Sequence, residues 1–156
     1  MKHTLLTLII CFLALALQMA KAQNQDFLWA LSAGSPDVGI GESCTDVNGN
    51  VYIVGAYSST VTFGSTTLTN PGAIVGITNV LLVKYDPNGN VLWAKSAPGS
   101  GNDYFSNISS DASGNVYVTG GFYGGNITFG TTTFTNSGIL TVKYDSNGNV
   151  LWATSA

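Results

Sequence analysis

Apolar residues are distributed in two different ways along this chain. Residues 5–17 form an almost unbroken apolar run. Beyond residue 27, apolar residues lie in short stretches rich in valine, isoleucine, threonine and tyrosine, and these stretches lack the 3.6-residue period of a helix. Glycine, asparagine and aspartate separate them, which is typical of strands joined by tight turns. The pattern predicts an apolar leader followed by an all-β region.

The leader has the layout of a secretory signal peptide. Lys2 gives a positive start, and Ala20 and Ala22 place small residues at the two positions that a signal peptidase reads. A membrane-spanning helix needs about 20 apolar residues, more than this run contains. We therefore expect cleavage after Ala22. The remaining chain, 23–156, is then secreted or held at the cell surface, with no membrane span after cleavage.

Two copies of one unit follow the leader. Matching segments recur in the same order at 49–55 and 114–120, at 62–70 and 128–136, and at 83–93 and 142–152. Each copy predicts four strands, A to D, because Asp-x-x-Gly turns separate A from B and C from D. The Leu-Trp-Ala motif found in both D strands also occurs at 28–30, which predicts an orphan strand D of a preceding unit.

Strand bounds follow from these turns. The predicted strands B, C and D cover 50–56, 80–85 and 91–96 in the first copy, and 115–122, 139–144 and 150–155 in the second. A pairs with B, and C pairs with D, in antiparallel fashion. The B–C connections (57–79 and 123–138) and the D–A connections (34–41 and 98–104) differ between the copies, so we expect long loops there.

The repeated residues resemble those of the SBBP family, bacterial β-propeller repeat proteins. The resemblance rests on Asp-x-x-Gly-Asn-Val-Tyr, followed by Val-Lys-Tyr-Asp-x-Asn-Gly-Asn-Val-Leu-Trp-Ala. The Thr-Phe-Gly-x-Thr-Thr-x-Thr insert resembles a variant of exported proteins from Bacteroidetes-type bacteria. The resemblance covers nearly all of residues 27–156 and implies four-stranded antiparallel blades stacked around an axis.

The resemblance also implies a domain organisation. It divides the chain into a signal peptide (1–22), an orphan strand D of a preceding blade (23–34), blade 1 (35–97) and blade 2 (98–156). A closed propeller has 4–8 blades, so these units form an incomplete ring. We expect the sequence to be a fragment of a longer reading frame. The alternative is that several chains close one ring, and further blades then act in cis or in trans.

Composition narrows the function classes. Only 8% of residues are charged, and residues 23–156 contain three lysines and eight acidic residues, a balance of −5. This excludes the basic patch that binding to nucleic-acid phosphates requires. The single histidine, His3, lies in the leader, so no Ser-His-Asp triad or histidine-based metal site is expected. Cys44 is the one cysteine beyond the leader, which excludes an intrachain disulfide. We expect no enzyme activity and no cofactor.

Four aspartates and three tryptophans recur at matching positions. The aspartates Asp46, Asp86, Asp111 and Asp145 suggest calcium loops, but an EF-hand needs glycine sixth and glutamate twelfth, whereas glycine is fourth here. We therefore expect them to cap turns and to bind no metal. The tryptophans Trp29, Trp93 and Trp152 lie at one place in each strand D, and we expect them to pack between neighbouring blades.

The variable connections lie at the opposite end of each blade from the tight turns. Divergent loops on a rigid scaffold commonly form a binding face. We therefore expect a non-catalytic exported module for binding, adhesion or scaffolding, with an unknown protein or carbohydrate as partner. Its candidate ligand-binding residues are Tyr57, Asp103, Tyr104 and Tyr123. The alternative is part of an extracellular polysaccharide lyase or glycosidase propeller whose catalytic residues lie in missing blades.

Overall fold

The described part of this computed structural model is residues 38–70 and 77–156, and it is built of ten strands. The strands are β1 (Val38–Thr45), β2 (Val51–Tyr57), β3 (Thr60–Phe63), β4 (Thr66–Thr69), β5 (Asn79–Tyr85), β6 (Val91–Lys95), β7 (Asn102–Ser110), β8 (Val116–Phe129), β9 (Thr132–Tyr144) and β10 (Val150–Ser155). The predicted signal peptide with its cleavage site, the orphan strand and Trp29 lie outside the described residues.

The ten strands form two four-stranded antiparallel sheets and one hairpin. Blade 1 has the order β1-β2-β5-β6, blade 2 has the order β7-β8-β9-β10, and β3 pairs with β4. Strand order within each blade is therefore chain order, which confirms the predicted A-B-C-D arrangement. The described residues contain no helix, and their two blades form an open arrangement that does not close into a ring. The all-β prediction with antiparallel blades is confirmed.

The Asp-x-x-Gly turns hold the strands in register through one repeated hydrogen-bond pattern. At the first turn, Asp46 Oδ1 accepts from the backbone N–H groups of Asn48 (2.9 Å) and Asn50 (3.0 Å), and its Oδ2 accepts from the Asn50 side chain (2.8 Å). The same pattern recurs at Asp86, Asp111 and Asp145. The predicted turn chemistry is confirmed, and these hydrogen bonds lower the pKa of all four carboxyl groups.

The prediction of long B–C loops is wrong in both copies. In blade 1 the connection contains the β3–β4 hairpin, and in blade 2 the equivalent residues extend β8 and β9 themselves. The reason is a period-two alternation that closes on a glycine turn. Val61 and Phe63 are buried while Thr60 and Thr62 are exposed, and Gly64 takes the positive φ of 58° that the turn requires.

The hydrophobic core lies between the two blades. One face of blade 1 contributes Tyr52, Val54, Val80 and Leu82, and all four side chains are fully buried or nearly so. Blade 2 contributes a larger set: Phe105, Ile108, Val116, Val118, Phe122, Ile127, Phe129, Leu140, Val142 and Tyr144. Each such side chain stabilises the fold by about 1.5–3 kcal/mol when buried, so the contact between blades is a main source of stability.

Candidate functional site

Two of the four predicted contact residues form an exposed aromatic pair on blade 2. Tyr104 lies opposite Gly121 in the β7–β8 ladder, and Tyr123 lies two residues further along β8, so the two tyrosines are diagonal neighbours. Their rings stack with centroids 6.1 Å apart and an interplanar angle of 17°. They remain 39% and 49% exposed. The structure therefore brings these two predicted residues together on the surface.

Gly121 makes this stacking possible, and the sequence prediction overlooked it. A Cβ atom at this position would lie 2.9 Å from the Tyr123 ring and 3.1 Å from the Tyr104 hydroxyl oxygen. A side chain here would separate the rings. The neighbouring Tyr123 hydroxyl raises the pKa of Tyr104. The repeat contained one signal of this role, because a small residue occupies the position in both copies: Ala56 in the first and Gly121 in the second.

Asp103 lies beneath this pair and is buried, not exposed on a rim. Its neighbour Tyr104 faces solvent because successive residues of a strand point to opposite faces. The Asp103 side chain is almost fully buried, at 1% exposure. Its backbone N–H donates to the Thr78 carbonyl oxygen (2.9 Å), and its backbone carbonyl accepts from the Thr78 hydroxyl (3.1 Å). Asp103 therefore holds β7, the strand that carries Tyr104, against Thr78, the residue just before β5.

One oxygen of this carboxyl group has no donor in the described structure. Asp103 Oδ2 and Asn79 Oδ1 are both buried without a hydrogen-bond partner. A Cβ atom on Gly99 would contact Asp103 Oδ2 and would lie 3.3 Å from Asn79 Oδ1, so both oxygens border the same small space. Burial raises the Asp103 pKa to about 6, and the nearby Tyr123 backbone N–H acts in the opposite direction. Once protonated, Oδ2 becomes a donor and Asn79 Oδ1 is an acceptor within its neighbourhood.

Tyr57 does not belong to this exposed surface. It is the last residue of β2 in blade 1, its side chain is buried, and its hydroxyl lies 3.0 Å from the Ser96 side-chain oxygen as a hydrogen-bond donor. Phe122 occupies the matching position in blade 2 and is buried as well. Tyr57 therefore supports the core, and the tyrosine pair of Tyr104 and Tyr123 is the exposed part of the predicted site. Ligand binding by any of the four stays a prediction.

One cleft in the described residues is small. A cleft of about 170 Å³, lined in part by Lys95, Phe129 and Tyr144, is smaller than the 300–1,000 Å³ of typical ligand pockets. In residues 38–70 and 77–156, no group of three or more histidine, cysteine or acidic side chains could hold a metal ion. Over the same ranges, no helix has the length and apolarity needed to cross a bilayer.

Comparison with known proteins supports the architecture. No family model matches the sequence. An uncharacterized WD repeat-containing protein of Acanthamoeba polyphaga mimivirus is 32% identical to it over 123 residues. This relative is named for its repeats, which agrees with the repeated four-stranded sheets of this chain. The aligned region covers 69% of this chain but only 9% of the viral protein, so the chain spans a small part of that relative. The two four-stranded antiparallel blades agree with such a repeat module.

Proposed function

We propose that this chain is an exported, non-catalytic propeller module of the SBBP type that binds a protein partner through the tyrosine pair of Tyr104 and Tyr123. The exposed, stacked rings carry this proposal. Tyrosine is enriched among the residues that dominate protein interfaces, because it offers a large rigid surface with one polar end. The likeness to a WD repeat-containing protein supports a role in binding or scaffolding.

The support beneath the rings suits a binding role. The pair lies on a β-ladder, with Gly121 below it and the buried Asp103 next to Tyr104 in β7. Aromatic side chains that are already ordered lose little conformational entropy on binding. Asp103 and Gly121 therefore act in this proposal as positioning residues, and the tyrosines make the contact.

The binding test compares the full chain with a Tyr104→Ala/Tyr123→Ala variant. Each protein is immobilised and exposed to extracts of the producing cell's envelope and, separately, to a glycan array. We expect the wild type to retain an envelope protein that the double variant loses, with both melting temperatures equal because the rings are exposed. Trp152→Ala, which removes an exposed aromatic elsewhere on blade 2, is the matched control and should retain the partner.

Two results would contradict this proposal. Retention of the same protein by the double variant would remove the tyrosine pair from the interface. Retention of glycans alone, lost in the double variant, would replace a protein partner by a carbohydrate.

Export is tested separately. We expect the chain produced in a Gram-negative host to be recovered outside the cytoplasm with Gln23 as its first residue, because the signal peptidase cuts after Ala22. Replacing Leu13 and Leu15 in the apolar run by Arg should leave the full-length chain in the cytoplasm. Recovery of unprocessed wild type in the cytoplasm would contradict export without affecting the binding result.

A further inference from the structure

The tyrosine pair of Tyr104 and Tyr123 brings together the reactive ends of two phenol rings. A Cβ atom on Gly121 would lie 3.1 Å from each hydroxyl oxygen and 2.9 Å from Cε2 of Tyr123. All three atoms therefore border one small space above a residue that has no side chain. Cε2 is a carbon ortho to the hydroxyl group, which is the ring position at which oxidised phenols form bonds to each other.

The strands leave these rings room to approach each other further. The rings are nearly parallel, with centroids 6.1 Å apart, and Gly121 places no side chain between them. The pairing of β8 with β9 shifts register between Tyr123 and Gly125, and such a bulge lets the strand bend directly after Tyr123. Two groups held in this way react with each other without a bimolecular encounter.

Exposure directs an oxidant to these two rings. Tyr104 and Tyr123 are 39% and 49% exposed, whereas four of the other five tyrosines are buried: Tyr52, Tyr57, Tyr85 and Tyr144. The fifth, Tyr117, is half-buried and lies edge to face with Trp152. Residues 23–156 contain no methionine and one cysteine, so they contain few of the sulfur side chains that oxidise readily.

We propose that Tyr104 and Tyr123 form an intramolecular dityrosine cross-link when a haem peroxidase and hydrogen peroxide act on the chain. Each hydroxyl group gives up one hydrogen atom to the oxidised enzyme, which leaves two phenoxyl radicals. A carbon–carbon bond forms between Cε2 of Tyr123 and a carbon ortho to the hydroxyl group of Tyr104. The hydrogen atoms on these two carbons leave the rings, and both O–H groups are restored. In total, the chain loses two hydrogen atoms, and one hydrogen peroxide becomes two water molecules.

This cross-link would supply a covalent constraint that the chain cannot obtain from cysteine. Cys44 is the one cysteine beyond the leader, so residues 23–156 form no intrachain disulfide. A bond between β7 and β8 closes a loop that contains the first turn of blade 2, and closing a loop lowers the conformational entropy of the unfolded chain. The inference uses the same two residues as the proposed binding function but needs no partner, so either can fail without the other.

The experiment treats the full chain with a haem peroxidase and hydrogen peroxide, at a concentration that keeps the chain monomeric. We expect a monomer that is lighter by two hydrogen atoms and has the blue fluorescence of dityrosine. A protease that cuts before aspartate separates residues 103–110 from 111–144, and the cross-link should keep these two fragments joined. The melting temperature should rise by about 10 °C, as for a disulfide that closes a short loop.

Four variants locate the cross-link. Tyr104→Phe and Tyr123→Phe keep the rings but lack one hydroxyl group, and each should abolish the cross-link. Tyr117→Phe is the matched control, because it removes the remaining half-buried tyrosine, and it should react like wild type. Gly121→Ala keeps both tyrosines but places a methyl group between them, so its cross-linking should slow by about tenfold. Thermal unfolding of each untreated variant checks that it folds.

Four results would overturn the proposal. Covalent dimers in place of the lighter monomer would show that coupling occurs between chains. A cross-link that persists in Tyr104→Phe would belong to other tyrosines. Equal rates for wild type and Gly121→Ala would show that the close approach above Gly121 does not direct the reaction. Addition of oxygen to Trp152 without any cross-link would show that the oxidant consumes a different side chain.

Discussion

The two blades place the same side chains in two different environments. Tyr52, Lys84 and Trp93 of blade 1 share their contacts with the turns of blade 2, whereas their counterparts Tyr117, Lys143 and Trp152 contact only blade 2 itself among the described residues. The ion pair of blade 1 is almost fully buried, at 8% and 1% side-chain exposure for Lys84 and Asp46, against 18% and 30% for Lys143 and Asp111. The local sequence is nearly identical, so the neighbouring blade alone accounts for the difference.

The comparison shows which contacts depend on a neighbour in this repeat. Geometry within a blade, such as the edge-to-face tyrosine–tryptophan contact, forms without one. The burial of these side chains and their hydrogen bonds to turn carbonyl oxygens require a neighbouring blade. Paired substitutions at matching positions therefore measure the energy of the contact between blades directly, because the change within the blade is the same in both members of a pair.

The largest difference is expected for the tryptophans. Trp93→Ala removes a side chain packed against the core and the hydrogen bond to Ser146, and should lower the free energy of unfolding by about 3 kcal/mol. Trp152→Ala should lower it by less than about 1 kcal/mol, because surface substitutions have small effects. Urea denaturation at pH 7 measures both. Equal losses would mean that the two tryptophans share one environment.

The protonation of Asp103, which lies at the contact between the blades, should make the free energy of unfolding depend on pH. Its pKa of about 6 lies above the ordinary value, so the stability from its protonated form is present below about pH 4 and is lost as the pH rises through 6. Asp103→Asn cannot ionise, and should gain about 2–3 kcal/mol over wild type at pH 7 but little at pH 4.

The four turn aspartates make stability depend on pH in the opposite direction. Their contributions cancel when wild type is compared with Asp103→Asn, because both proteins contain them. Their lowered pKa values mean that their contribution is present above about pH 4 and is lost in stronger acid, equally in both proteins. Urea denaturation series between pH 4 and 8 provide the measurement. Parallel profiles for wild type and Asp103→Asn would show that the Asp103 carboxyl group is hydrated.

A pair of glycine substitutions isolates one contact between the blades. Gly148 and Gly130 both have positive φ (79° and 59°), so alanine at either position carries a backbone cost of about 1 kcal/mol. A Cβ atom at 148 would also lie 2.8 Å from the end of the flexible Lys95 side chain and 3.2 Å from the Trp93 ring, both in blade 1, whereas one at 130 would meet only Val150 at 3.8 Å. Gly148→Ala should therefore cost about 1 kcal/mol more than Gly130→Ala in thermal unfolding. Identical losses would place Gly148 away from Trp93.

The smallest expected difference is that of one hydroxyl group. Tyr52→Phe removes a hydroxyl whose single proton is shared between Asp46 Oδ2 and the Gly114 carbonyl oxygen, and should cost about 1 kcal/mol. Tyr117→Phe removes only the longer contact with Asp111 (3.4 Å) and should be nearly neutral. Both values come from the same urea denaturation series. A larger loss for Tyr117→Phe would reverse the comparison.

Much of the fold could be predicted because its signals are local. Each Asp-x-x-Gly turn contains its own acceptor and its own glycine, so strand order followed from the sequence without tertiary information. The β3–β4 hairpin was missed although Val61, Phe63 and Gly64 carry the required alternation and turn. The difference between the two copies in this connection suggested a loop, but the period-two alternation of buried and exposed residues forms a hairpin.

The site was predicted less completely, because exposure depends on packing. Asp103 and Tyr104 could not both face solvent once β7 began at Asn102, since adjacent strand residues point to opposite faces. The stacking of Tyr104 on Tyr123 required the β7–β8 register, which no local pattern gives. The two tryptophans are identical in local sequence. The expectation that they pack between blades is confirmed for Trp93, and it stays a prediction for Trp152, which is exposed among the described residues.

The central claim is that the turns of blade 2 cover the tyrosine–lysine–tryptophan face of blade 1, and one NMR measurement tests it directly. Nuclear Overhauser effects between the Gly148 Hα protons and the Trp93 indole ring report a contact that only stacked blades produce. We predict strong cross-peaks, with the Gly148 Hα resonances shifted upfield by the ring, in the full chain at neutral pH. Absence of these cross-peaks, with Gly148 at ordinary chemical shifts, would contradict the stacking of the two blades.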